Sequence, residues 1–172
     1  MNRTGIPYLD FGWNPGGCGC SKGCEGCWAR IKAAPRVGKN IGCADCEAFR
    51  VHFHPERLDG PLKRATPATI GVQFTGELFD PQRPSEQVQE VLNAAYCAGL
   101  RTPHTFVFLT QQPEIMAREA VAWKARRGWW TWPDRWFFGV TVRTLQERRE
   151  RLSSDGAMYR LGKLGANLWL SL

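Results

Sequence analysis

Short runs of β-branched and aromatic residues recur along the chain: Thr69 to Thr75 (TIGVQFT), Thr105 to Thr110 (TFVFLT), Trp136 to Val142 (WFFGVTV) and Asn167 to Leu172 (NLWLSL). They are apolar at nearly every position rather than at alternate ones, the pattern of strands covered on both faces. They begin 36, 31 and 31 residues apart, which leaves room for a helix in each interval. Val88, Val91, Leu92 and Ala95 lie at i, i+3, i+4 and i+7 and predict the first helix, with Ser85 as N-cap and Gly99 beyond its end. A second helix is predicted from near Pro113 to Gly128, and a third opens with Thr144 and Glu147 at capping-box spacing. Ile6 to Phe11 (IPYLDF) adds an earlier strand, and Trp28 to Ala34 a turn or two of helix ended by Pro35.

Strand and helix in alternation predict βαβ units, hence an α/β fold around a parallel sheet. The chain reads as a single domain over 1–172, with strand one, a cysteine loop and a Cys/His-containing insertion in 1–68 and successive β/α units in 69–172. Chemistry in such folds collects at the carboxyl ends of strands. The cysteine loop and Thr75 to Asp80 (TGELFD), which follow the first and second strands, are therefore expected to meet.

The cysteine loop, Gly16 to Ala29 (GGCGCSKGCEGCWA), holds Cys20, Cys24 and Cys27 as C-x3-C-x2-C. Three thiolates on one glycine-rich loop suit three irons of a 4Fe-4S cluster and leave the fourth iron open to substrate. Zinc and ordinary free thiols are the competing readings. Cys24-x2-Cys27 and Cys43-x2-Cys46 together have the spacing of a closed four-cysteine zinc site, which would make the protein a non-catalytic, zinc-stabilised nucleic-acid-binding module. Alternatively Cys43 and Cys46 join Cys18 or a histidine at a second, structural metal. His52 and His54 alternate, so on an extended segment they share a face. Arg36 to Gly42 reads as a basic loop, His104 as a surface or cap residue, and Cys97 as a small buried hydrophobe within its helix.

The net charge of +7 is unevenly placed, with nine Lys or Arg against four acids between Ile115 and Arg151. Trp123, Trp129, Trp130, Trp132 and Trp136 lie in the same stretch. Basic charge interleaved with aromatics fits a nucleic-acid partner, and equally a solvated helix face beside a tryptophan-rich core. No long uncharged apolar run suggests a transmembrane helix, and MNRTGIPYLDFGW has no secretory h-region. A cytoplasmic location is expected, where an odd set of seven cysteines points to metal ligation rather than disulfides. No phosphate-binding glycine loop, zinc-protease helix motif or serine-nucleophile elbow is present in the sequence.

The C-x3-C-x2-C loop after strand one, with Thr75-Gly76-Glu77 after strand two, resembles the radical SAM superfamily. A closer set of landmarks runs through Trp13-Asn14-Pro15, Gly17-Cys18, Gly23-Cys24, Cys27-Trp28-Ala29, His54 to Asp59 (HPERLD), Glu77 to Pro81 (ELFDP), Leu109-Thr110, Pro113-Glu114 and Trp136 to Val142. These resemble a family of phage-encoded proteins of unknown function, related to radical SAM enzymes and distantly similar to spore photoproduct lyase. The resemblance implies a partial β/α barrel of about five parallel strands. It further implies a 4Fe-4S cluster on Cys20, Cys24 and Cys27, S-adenosylmethionine held by Gly76 and Glu77, an electron donor, and a radical reaction whose substrate class is nucleic acid. The first cysteine of the phage family follows glycine, which corresponds to Cys18, whereas Cys20 gives the superfamily spacing. The superfamily's aromatic before the last cysteine is here Gly26, with Trp28 after it. Family members continue past Leu172, so the chain reads as a truncated barrel with an unpaired edge, a fragment or split gene product completed by a further chain.

Overall fold

The predicted alternation of strand and helix is present from Thr69 onward in a computed structural model that describes residues 1–33, 43–128, 131–142, 144–153 and 155–171. The strands are β1 (Asn2–Arg3), β2 (Phe11–Trp13), β3 (Thr69–Val72), β4 (Thr105–Thr110), β5 (Trp136–Thr141) and β6 (Asn167–Ser171). Between them lie the helices α1 (Trp28–Ala33), α2 (Ala44–Glu47), α3 (Ser85–Arg101), α4 (Pro113–Arg126), α5 (Leu145–Arg151) and α6 (Ala157–Lys163). A short 3-10 helix spans Pro55–Arg57.

One sheet joins the strands in the order β1-β2-β3-β4-β5-β6, open between its two edges. β2 to β6 pair in parallel, while β1 adds an antiparallel edge through Asn2 and Arg3. The strand order never reverses, and right-handed crossovers taken always in one direction place the connecting helices on one face. Phe11, Ile70, Phe106 and Trp136 align across the sheet, and Trp13, Val72, Phe108 and Phe138 form the next row. Both rows enter one core with Val91 and Leu92 of α3 and Met116, Ala120 and Trp123 of α4. Burial of such side chains stabilises the fold by about 1.5–3 kcal/mol each. On the opposite face Gly71 admits Leu9, whose Cδ1 would stand 2.5 Å from a Cβ at that position.

Several local expectations are corrected. Ile6 to Phe11 is not a strand as far as Asp10: Pro7 has no N–H for a ladder, and Leu9 N–H instead closes a turn onto Ile6 O at 3.0 Å. Ser85 is the first residue of α3 and Pro84 precedes it as the cap. Gly99 lies inside that helix, which runs on to Arg101. Cys97 is exposed because it falls beside the buried stripe of Val88, Val91, Leu92, Ala95 and Ala98. His104 is buried, with Nε2 3.2 Å from Pro61 O, and that burial holds its pKa below the usual histidine range. The last helical stretch is two helices, α5 and α6. Its predicted cap is present, with Thr144 Oγ accepting from Glu147 N–H at 3.1 Å. The basic loop at 36–42 lies outside the described residues.

Candidate metal centres at the carboxyl edge of the sheet

β2 delivers the chain into the cysteine loop at the carboxyl edge of the sheet, and the residues after β3 hold that loop in shape. Gln73, itself at φ 60°, accepts from Gly16 N–H at 2.7 Å and donates to Gly17 O at 2.7 Å. Thr75 N–H donates to Asn14 Oδ1, and Glu77 N–H to Gly19 O at 3.1 Å. Asp80 accepts from Ser21 N–H at 2.7 Å and from its hydroxyl at 2.8 Å. The buried guanidinium of Arg83 donates to Gly16 O, Glu77 O and His52 O. A Cβ on Gly76 would stand 2.6 Å from Gly19 O, so this glycine lets the two loops close on each other. The expected meeting of the cysteine loop with Thr75 to Asp80 is thus present.

Cys20, Cys24 and Cys27 line one cleft of about 500 Å³ together with Gly76, Glu77, Thr110 and Gln111. Cys24 Sγ lies 3.7 Å from Gln111 Oε1. Burial pushes the Cys20 thiol up to about 11, with Asp80, Glu77 and Cys24 adding to it against a hydrogen bond from Lys22 N–H. A thiol pressed by carboxylates is a site that a metal cation would turn into thiolate. Among the described residues these three thiols do not converge as ligands of one ion do. Cluster thiolates bind separate irons and need no such convergence.

Glu77 is more enclosed than the sequence suggested. Its Oε1 accepts from Phe79 N–H at 3.0 Å and Thr110 Oγ–H at 2.7 Å, and its Oε2 accepts from Gln111 N–H at 3.0 Å. Burial raises its pKa against these three hydrogen bonds. The side chain ties the ends of β3 and β4 together beneath the cleft, and one lone-pair site on Oε2 remains for a further donor.

Cys18 does not line that cleft. It is buried with Ala29, Cys46 and Phe49, and it borders a separate cavity of about 830 Å³ with Cys43 and Cys46. Nor do Cys43 and Cys46 gather with Cys24 and Cys27. The group that comes together is Cys43, Cys46, His52 and His54, with one ligand atom from each within 4.8 Å of all the others. Sequence spacing had offered a histidine only as one alternative partner for these cysteines.

In the basic, tryptophan-rich stretch the described tryptophans are core and most of the described arginines are exposed. Trp123, Trp132 and Trp136 are buried, and Trp123 packs on Trp136 with ring centroids 4.7 Å apart. Lys124 lies over the Trp132 ring, and Arg127 over Tyr96 and Trp123. Arg118, Arg126, Arg135, Arg148 and Arg149 remain exposed, while Trp129 and Trp130 lie outside the described residues. Sequence reading missed Gln73 and Arg83, although an amide within the apolar run TIGVQFT was a signal that a buried polar partner awaited it.

The sequence model of a family described as "Protein of unknown function (DUF5131)" matches residues 3–161. No curated protein and no solved structure matches the chain. No helix among the described residues is long and apolar enough to cross a membrane.

Proposed function

The chain belongs to the DUF5131 family, and we propose that it is an iron-sulfur, S-adenosylmethionine-dependent radical enzyme on a partial β/α barrel of the radical SAM type. The observation that carries this reading is the sharing of one cleft by Cys20, Cys24, Cys27, Gly76 and Glu77 at the carboxyl edge of a parallel sheet. The uninterrupted strand order supports the barrel type. Cys20 is the first ligand on this reading, because it lines the cleft with Cys24 and Cys27 whereas Cys18 borders the other cavity with Cys43 and Cys46.

Cys20, Cys24 and Cys27 would hold a 4Fe-4S cluster and Gly76 and Glu77 S-adenosylmethionine, and with one electron from an external donor this pair would supply reductive cleavage of a sulfur–carbon bond to methionine and a 5′-deoxyadenosyl radical. The protein's own part is positional. Gln73, Asp80 and Arg83 fix the backbone of the cysteine loop before any ligand arrives. Gly76 lets its own loop close against the cysteine loop, and Glu77 offers its remaining Oε2 lone pair to an ammonium group. Tyr8, Phe74 and Trp28 contribute apolar surface to the walls of the cleft. The exposed arginines of 115–151 support nucleic acid as the substrate class, whereas the buried tryptophans supply no stacking platform.

The test is iron, sulfide and zinc analysis with absorption spectra on protein reconstituted without oxygen. Expected are about four irons per chain and a spectrum that S-adenosylmethionine perturbs. Cys20→Ala should abolish the iron signal, and Cys43→Ser should leave it. Colourless protein that refuses iron while retaining zinc overturns the proposal and leaves the zinc-stabilised, nucleic-acid-binding module as the reading.

A further inference from the structure

We infer that Cys43, Cys46, His52 and His54 form a second, closed metal site for a zinc-type divalent ion, which clamps the back of the cysteine loop. The inference stands independently of the radical-enzyme reading, because it uses none of the cleft thiols.

The first argument is the geometry of the ligand atoms. His52 Nε2 lies 3.2 Å from Cys46 Sγ and 3.5 Å from Cys43 Sγ, and His54 Nε2 lies 3.5 Å from Cys46 Sγ. The two Nε2 atoms are 3.0 Å apart. Ligands on one tetrahedral ion with zinc–nitrogen and zinc–sulfur bonds of usual length stand roughly 3.3–3.8 Å from each other. The four atoms are therefore close to the spacing that a single ion would impose.

A second, independent argument comes from the far side of each ring. His52 Nδ1 is 2.7 Å from Arg50 O, and His54 Nδ1 is 2.7 Å from Glu56 Oε1. Both acceptors lack a proton to give, so each neutral ring carries its hydrogen on Nδ1 and presents a bare lone pair at Nε2. Two such lone pairs 3.0 Å apart repel each other, and a metal ion seated between them would turn that repulsion into two bonds. A backbone carbonyl on one metal-ligating histidine and a carboxylate on the other is the usual arrangement that fixes tautomer and ring orientation.

Two thiolates and two imidazoles select zinc among common divalent ions, and their paired negative charge makes the centre neutral overall, as burial of Cys46 requires. With all four positions taken by protein, the site is structural rather than catalytic. Its position gives it a task. A Cβ on Gly17, at φ 66°, would stand 2.0 Å from His52 Nε2, and one on Gly19 would stand 1.8 Å from Arg50 O. His54 N–H donates to Pro15 O at 2.6 Å, and Arg83 bridges His52 O to Gly16 O. Fixing the two histidines therefore fixes the strip of backbone from Pro15 to Gly19, from which Cys20 projects to the cleft.

Cobalt titration of the full chain, in a Cys20→Ala/Cys24→Ala background that removes two of the three cleft thiols, tests the site. Expected is a single equivalent of cobalt with the visible bands of a tetrahedral, thiolate-bound ion, displaced by zinc. Glu56→Gln changes only an exposed residue that orients His54, and should weaken binding by about tenfold or more. Cys46→Ser should abolish the thiolate bands. On the unsubstituted chain, zinc should shield Cys43 and Cys46 from iodoacetamide while Cys97 is labelled freely, and a chelator should end the shielding. This last readout decides the matter if the serine variant does not fold. Absence of a stoichiometric cobalt signal, cobalt affinity unchanged by Glu56→Gln, or labelling of Cys43 and Cys46 indifferent to zinc overturns the inference.

Discussion

Gly19 and Gly23 lie on the same loop under different constraints. At Gly19 a methyl group would collide with the Arg50 carbonyl, which is backbone and cannot swing aside. Gly23 has open space around it and is constrained only by its φ of 65°. Gly19→Ala is expected to cost about 1–3 kcal/mol by overpacking and to displace the Pro15 to Cys20 backbone, so metal content should fall with stability. Gly23→Ala should cost only about 1–2 kcal/mol for the left-handed backbone and leave the His52 site intact. Urea midpoints together with bound metal check the pair; equal loss of metal in both would remove the distinction. The same scale shows which residues sequence could identify. C-x3-C-x2-C, C-x2-C and the alternating histidines were all visible as local spacing. That Cys43 and Cys46 meet His52 and His54 was not, because the meeting depends on how 43–57 folds back over Pro15 to Gly19.

Between elements, Glu119 fastens α4 to α3. Its carboxylate accepts from Ser85 Oγ–H at 2.6 Å, Gln89 Nε2 at 3.0 Å and the Arg118 guanidinium at 2.9 Å. Burial pushes its pKa up, but these donors outweigh burial and hold it below the usual carboxylate range. Because the folded value is depressed, the stability it contributes is present above the unfolded value of about 4.3 and is lost as pH falls through the lower folded value. Glu119→Gln should cost about 1–3 kcal/mol at neutral pH and flatten that part of the acid limb. Thermal melts from pH 7 downward measure it, and parallel wild-type and variant profiles through the acid window would show that the carboxylate carries no such linkage. Ser85 was legible as a residue at the helix start, but its use as a donor to α4 depended on helix pairing. Thr144 capped as expected because a cap is made within four residues.

At the scale of the molecule, Trp13, Trp123, Trp132 and Trp136 belong to one buried cluster that reaches from β2 to α6. Unfolding followed by tryptophan fluorescence and by far-ultraviolet circular dichroism is therefore expected to give one coincident transition, and separated midpoints would show two cores. Alternating apolar runs and helical stripes determined, without coordinates, that β3 to β6 are strands of a parallel α/β sheet with helices between them. Periodicity is a property of neighbouring residues, so it survives in the sequence. Only the tertiary structure decided that Cys97 faces outward, that His104 is buried, that Trp123, Trp132 and Trp136 of the basic stretch are core, and that β1 exists as an edge of two residues. It also decided the division of the cysteines, with Cys20, Cys24 and Cys27 toward the cleft and Cys43 and Cys46 toward the histidines. Those outcomes rest on contacts between residues distant in the chain, whose pairing no local spacing encodes.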